Sequence, residues 1–121
     1  MAIADFFSTS CETRELHQNG QLRTRYYRNS FKQCFEALEE LANREILQVR
    51  DVNEHHGEVY LLGNGYDCIV TVIQLSPIET SVDFKINYFS FIGLSRPKKR
   101  AIQFYKFLDS VLKFKGVSLH P

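Results

Sequence analysis

The stretch 67–89, DCIVTVIQLSPIETSVDFKINYF, constrains the fold more than any other part of the chain. Its second half alternates strictly: Val82, Phe84, Ile86 and Tyr88 point one way, and Asp83, Lys85 and Asn87 the other. A period of two, with β-branched and aromatic residues on one side, predicts a strand with one buried face. The first half, from Cys68 to Leu75, is apolar on both sides, with Val70 and Val72 set against Ile69, Ile73 and Leu75. With Ser76-Pro77 as the break, the two halves read as a β-hairpin at the middle of a sheet. A strand that is apolar on both sides calls for cover on both faces. Either the N-terminal segment or a second copy of the chain is expected to supply it.

The flanking sequence supplies the remaining elements. Gln21 to Arg28, QLRTRYYR, alternates as a first strand, with Leu22 and Tyr26 inward and Arg23, Arg25 and Tyr27 outward. Ser30 followed by Gln33 is a capping box, and Phe31, Cys34, Phe35, Leu38, Leu41 and Ala42 form one apolar stripe at helical spacing. Ile46 to Val52 and Val59 to Leu62 read as strands, joined through a turn at Glu54-His55-His56-Gly57, and Gly63-Asn64-Gly65 signals the next hairpin. Ser95-Arg96-Pro97 opens a last helix that carries Ile102, Tyr105, Leu108 and Leu112 on one side and stops at Gly116. The order β-α-β-β-β-β-α predicts an α+β fold. It is an antiparallel four-stranded meander plus an N-terminal strand, with two helices packed on one face. The expected organisation is an arm over residues 1–20, one domain over 21–116 and a tail over 117–121. The arm is expected to dock Ile3, Phe6 and Phe7 on the core.

A chain of 121 residues has room for one hydrophobic core, burying roughly two-thirds of the surface its unfolded form exposes. Ten phenylalanines and six tyrosines are enough aromatic volume to fill it. Cys11, Cys34 and Cys68 are an odd set without a close pair, so the sequence shows neither a disulfide framework nor a zinc pattern, and a reducing compartment is expected. The first ten residues lack a basic leader, and no run approaches the ~20 apolar residues of a membrane span. These features make the cytoplasm the expected location.

Net charge is +1, but it is distributed in blocks. Four bases and no acid occupy 21–35, seven acids against two bases occupy 36–58, and seven bases against one acid occupy 91–121. Blocks of opposite sign can meet within one fold or between subunits. The run Arg96-Pro97-Lys98-Lys99-Arg100 is the sharpest of these features, because cations in the first turn of a helix oppose its dipole at a cost of about 0.3–1 kcal/mol each. Acids of the same fold (Glu36, Glu39, Glu40 or Glu45), a bound phosphate or a nucleic-acid backbone would each offset that cost. Arg23, Arg25, Tyr27 and Arg28 combine bases with a ring that stacks, so together with Arg96, Lys98, Lys99 and Arg100 they form the candidate anion-binding set.

Other chemistry has little support. His55 and His56 beside Glu54 and Glu58, and Cys11 with His17, lack the spacing of a metal site, and an exposed turn accounts for the two histidines. No phosphate loop, nucleophile elbow or carboxylate pair with a role is visible, so neither an enzyme nor a cofactor is expected. CETR (Cys11 to Arg14), LRTRYYR (Leu22 to Arg28) and SVDFKI (Ser81 to Ile86) resemble, in the same order, a family of small bacterial cytosolic proteins whose members have no assigned function. The resemblance implies a cytosolic setting and supplies no catalytic residues. The expectation is therefore a non-enzymatic domain that acts by binding, through self-association or a protein partner. The alternatives are anion or nucleic-acid binding through the basic set, and carriage of a small apolar ligand between sheet and helices.

Overall fold

The computed structural model describes residues 9–90 and 96–119. The chain is an α+β domain with two helices and an antiparallel sheet of seven strands. In order, these are β1 (Ser10–Glu12), a 3-10 turn (Gly20–Leu22), β2 (Arg25–Tyr27), α1 (Phe31–Glu45), β3 (Gln48–Asn53), β4 (Glu58–Leu62), β5 (Tyr66–Ser76), β6 (Glu79–Tyr88), α2 (Arg96–Val111) and β7 (Phe114–Val117). The sheet order is β3-β4-β5-β6-β2-β7, with β1 also on β6.

The central hairpin is the one the alternation predicts. β5 and β6 pair from Tyr66↔Tyr88 to Ser76↔Glu79, and Val82, Phe84, Ile86 and Tyr88 are all buried. Tyr66, Cys68, Val70 and Val72 share that face, and α1 and α2 cover it. Leu38, Leu41, Phe104, Tyr105 and Leu108 fill the space between helices and sheet, each at most 1 % exposed. Rings pack edge-on there, Phe84 lying 5.5 Å from Phe104 and 5.0 Å from Tyr105. An interior this dense derives its stability from the apolar area removed from water, about 25 cal/mol per Å².

Local chemistry sets the element ends. Ser30 accepts from the Gln33 amide while Gln33 Oε1 accepts from the Ser30 amide, so the capping box forms as read. α1 ends at Ile46, which takes a left-handed conformation (φ 56°, ψ 49°) and donates its amide to the carbonyls of Ala42 and Asn43. At the β3–β4 turn, Gly57 (φ +67°) donates to Glu54 and accepts from Val72; a Cβ at this position would lie 2.1 Å from the Val72 carbonyl oxygen. Only glycine meets both demands.

Several expectations change. The strand predicted over 21–28 is only Arg25–Tyr27, because Asn19 caps a 3-10 turn that carries Leu22 into the core. Its faces are also reversed: Tyr27 points toward α2 and Tyr26 toward the opposite face, where its hydroxyl donates to Glu15. Residues 10–12, read as part of an arm, form β1 on the edge of β6. The last helix stops at Val111 rather than at Gly116. Asn29 Oδ1 accepts the Lys113 amide at 2.7 Å and Arg28 donates to the Lys113 carbonyl, turning the chain into β7 beside β2. Gly93, the Ser95 cap and the docking of Ile3, Phe6 and Phe7 lie outside the described residues.

Candidate functional site

β1 and β2 occupy the same edge of β6 end to end. β1 pairs with Lys85–Asn87, β2 with Thr80–Val82, and neither strand covers Asp83 and Phe84. Side chains close that gap. Thr13 Oγ1 accepts the Phe84 amide at 2.9 Å and donates to Asp83 Oδ1 at 2.7 Å. Thr24 Oγ1 donates to the same carboxylate at 2.8 Å, and the Tyr105 hydroxyl, reaching from α2, is bonded to Thr13 and to the Val82 carbonyl. Burial raises the Asp83 pKa above its ordinary value, the two threonine hydroxyls oppose that rise, and Glu15 and Glu12 add to it. Burial also pushes the Tyr105 phenol well up. This seam satisfies buried polar groups and ties α2 to the sheet.

A second buried cluster adjoins it. Arg25 Nη1 meets Asp109 Oδ2 at 2.5 Å, with its guanidinium 4.9 Å from the Tyr105 ring centre and 5.1 Å from that of Phe114. The Tyr27 hydroxyl donates to Asp109 Oδ1 at 2.8 Å, and burial, followed by the Asp109 charge, drives its pKa upward.

The candidate basic set is therefore divided. Arg25 and Tyr27 are turned inward onto α2. Arg23 donates through Nε to the His17 carbonyl, and Arg28 is exposed beside β7. At the start of α2, Arg96 and Lys99 are exposed and Lys98 is half-buried. Arg100 packs over the Tyr66 ring at 4.6 Å, donates to the Tyr88 hydroxyl and pairs with Glu45 at 3.4 Å. One of the four acids expected to offset the first-turn cations thus does so within the fold. From Arg100 to Asp109 the helix rises by roughly 13 Å. The two halves of the set accordingly lie at opposite ends of α2, and within the first half the side chains of Arg25 and Tyr27 meet on Asp109 while Arg23 and Arg28 lie elsewhere.

The sequence does not signal the feature at the other end of the sheet. β4 pairs with β5 only as far as Glu58↔Thr71, and the Glu54–Gly57 turn closes against Val72. β5 and β6 run on past it. Along the protruding end Ile73 is 48 % exposed, Leu75 46 % and Ile78, in the connection, 72 %. Ile73 and Leu75 belong to the outer side that the sequence marked as needing cover. Beside them, where β4 would have continued, lies a recess of about 400 Å³ lined by Phe31, His55, Val72 and Gln74 among others. Detecting this recess from sequence requires knowing the strand register, which composition does not reveal.

Among the described residues no group of acids, histidines or cysteines could hold a metal ion, and no helix is long and apolar enough to cross a membrane. No protein-family model, curated protein or solved structure matches the chain.

Proposed function

We propose that the protein is a non-enzymatic binding domain that self-associates through the protruding end of its central hairpin. The observation that carries this reading is the exposure of Ile73, Leu75 and Ile78 together on a strand end that β4 leaves uncovered. Proteins blunt open sheet edges with charge, proline or a covering loop when no partner is to bind there. Here Pro77 lies in the connection and a register shift bends β5 between Gln74 and Ser76, but the open edge itself bears two aliphatic residues and no charge from Ile73 to Ser76. Clustered exposed apolar side chains of this kind mark interaction surfaces. A reducing, cytoplasmic setting accords with this reading, since Cys34 and Cys68 are buried thiols without a disulfide.

Light scattering coupled to size exclusion tests the proposal across a concentration series. The expected result is a dimer that Ile73→Lys/Ile78→Lys converts to a monomer of unchanged circular dichroism. A strict monomer at millimolar concentration overturns it.

A further inference from the structure

The backbone of β5 specifies how such a dimer would form. Facing β4, the amides of alternate residues are in play, and Val72 is the last to find an acceptor, the Gly57 carbonyl at 2.6 Å. By the same alternation the N–H and C=O of Gln74 face that side too. The residue that would have stood opposite Gln74, had the ladder continued, is His55, and it belongs to the turn instead. Among the described residues no strand pairs with β5 on this side beyond Val72.

We propose that a second copy of the chain fills this position, laying its own protruding hairpin end antiparallel across residues 74–78 so that the two sheets meet edge to edge. The inference rests on the self-association reading and specifies its geometry. A two-fold axis near Ser76 sets Ser76 against its own counterpart and Gln74 opposite the connection of the second copy, and because the β5 register shifts between Gln74 and Ser76 the main-chain bonds fall to Gln74. It also brings the connection of the partner, with its largely exposed Ile78, over the recess lined by Phe31, His55 and Val72. The knob and the hole lie on the same few residues, as an isologous contact requires. Strand addition of this kind gains main-chain hydrogen bonds for affinity and side-chain pockets for specificity.

Charge argues for the same occupant. The β3–β4 end that rims the recess carries Asp51, Glu54 and Glu58, all exposed, against Arg50. Around the hairpin connection, β2 and β7 bring Arg28, Lys113 and Lys115, and Lys115 Nζ is 2.6 Å from Glu79 at the tip itself. In the paired arrangement the basic surroundings of one tip approach the acidic rim of the other. The acidic and basic blocks, which the sheet order sets at opposite edges of one chain, then meet between two.

Three variants of the full chain test the geometry. Gln74→Pro removes only the edge-facing amide, a change that edge strands tolerate, and is expected to raise the dimer dissociation constant at least ten-fold while the unfolding midpoint stays within a few degrees. Ile78→Glu is expected to do the same by emptying the recess. Ser76→Cys is expected to form an interchain disulfide under mild oxidation, because directly opposed residues of an antiparallel pair bring their Cα atoms within about 4.5–5.5 Å. If Ile78→Glu dissociates the dimer but Gln74→Pro does not and Ser76→Cys fails to cross-link, the hairpin end associates without strand pairing and this inference falls alone. A monomeric wild type removes both.

Discussion

The Arg25 guanidinium meets the Asp109 carboxylate at 2.5 Å, joining β2 to the end of α2 across most of the sequence. The two side chains are only 15 % and 27 % exposed, and rings lie on the arginine from two sides. What composition presents as part of a basic surface is an internal tie. Its Nε is buried and has no hydrogen-bond partner, so the guanidinium is held by one carboxylate and by stacking.

Removing one member of a buried pair costs more than the pair contributes, because the other charge is left in poor solvent. Arg25→Ala should therefore destabilise the protein by about 2–4 kcal/mol, with a smaller loss for Arg25→Met, which keeps the packing. Urea denaturation checks both. A loss below about 0.5 kcal/mol, the range of ordinary surface substitutions, would show the pair to be superficial.

Ile46 predicts a gain. A β-branched residue in the left-handed region is strained, and at 88 % exposure its side chain gains little from packing. Ile46→Gly should stabilise the fold by about 1 kcal/mol, since glycine is the usual residue at this helix end. Thermal and urea unfolding should agree. A net loss would mean that Ile46 packs in solution in a way the chain alone does not display.

Asp83 sets a pH dependence. Its pKa in the folded state lies above the ordinary value of 3.8, with burial as the chief cause. A carboxyl group raised in this way favours folding while protonated. Its contribution is complete below the unfolded value and is lost as pH rises through the folded one. Asp83→Asn keeps an acceptor for Thr13 and Thr24 without the charge. Relative to wild type, the variant should gain stability from pH 3.5 to pH 7. The difference between the two denaturation curves is the measurement, because other carboxylates titrate in both proteins. A constant difference across that range would separate Asp83 from the pH response.

The elements legible in sequence are those whose cause is local. Val82, Phe84, Ile86 and Tyr88 reveal a half-buried strand by period alone, and Ser30 with Gln33 reveals a helix start within one turn. β1 and β7 are not legible. Ser10–Glu12 has one apolar residue, and Phe114–Val117 contains a glycine that looks like a helix stop. Each exists because β6 or β2 offers an edge, a tertiary cause that outranks propensity. The inward turn of Arg25 is hidden for the same reason, since Asp109 is far away in sequence. The doubly apolar β5 was legible as a strand with an unmet need, but the place where β4 abandons it was not.

β6 receives both N-terminal strands, β1 and β2, on one edge. Residue 10 pairs with residue 87, and β2 lies between β6 and the last strand, β7. During synthesis the first two strands have nothing to pair with until the ribosome has passed residue 88, and β2 keeps a bare side until β7 emerges. β3 to β6 are therefore the earliest contiguous piece of sheet that synthesis completes. For that interval the nascent chain carries an unfinished flank on β6 as well as the open one on β5. The burden of avoiding wrong neighbours is heaviest before the protein is complete.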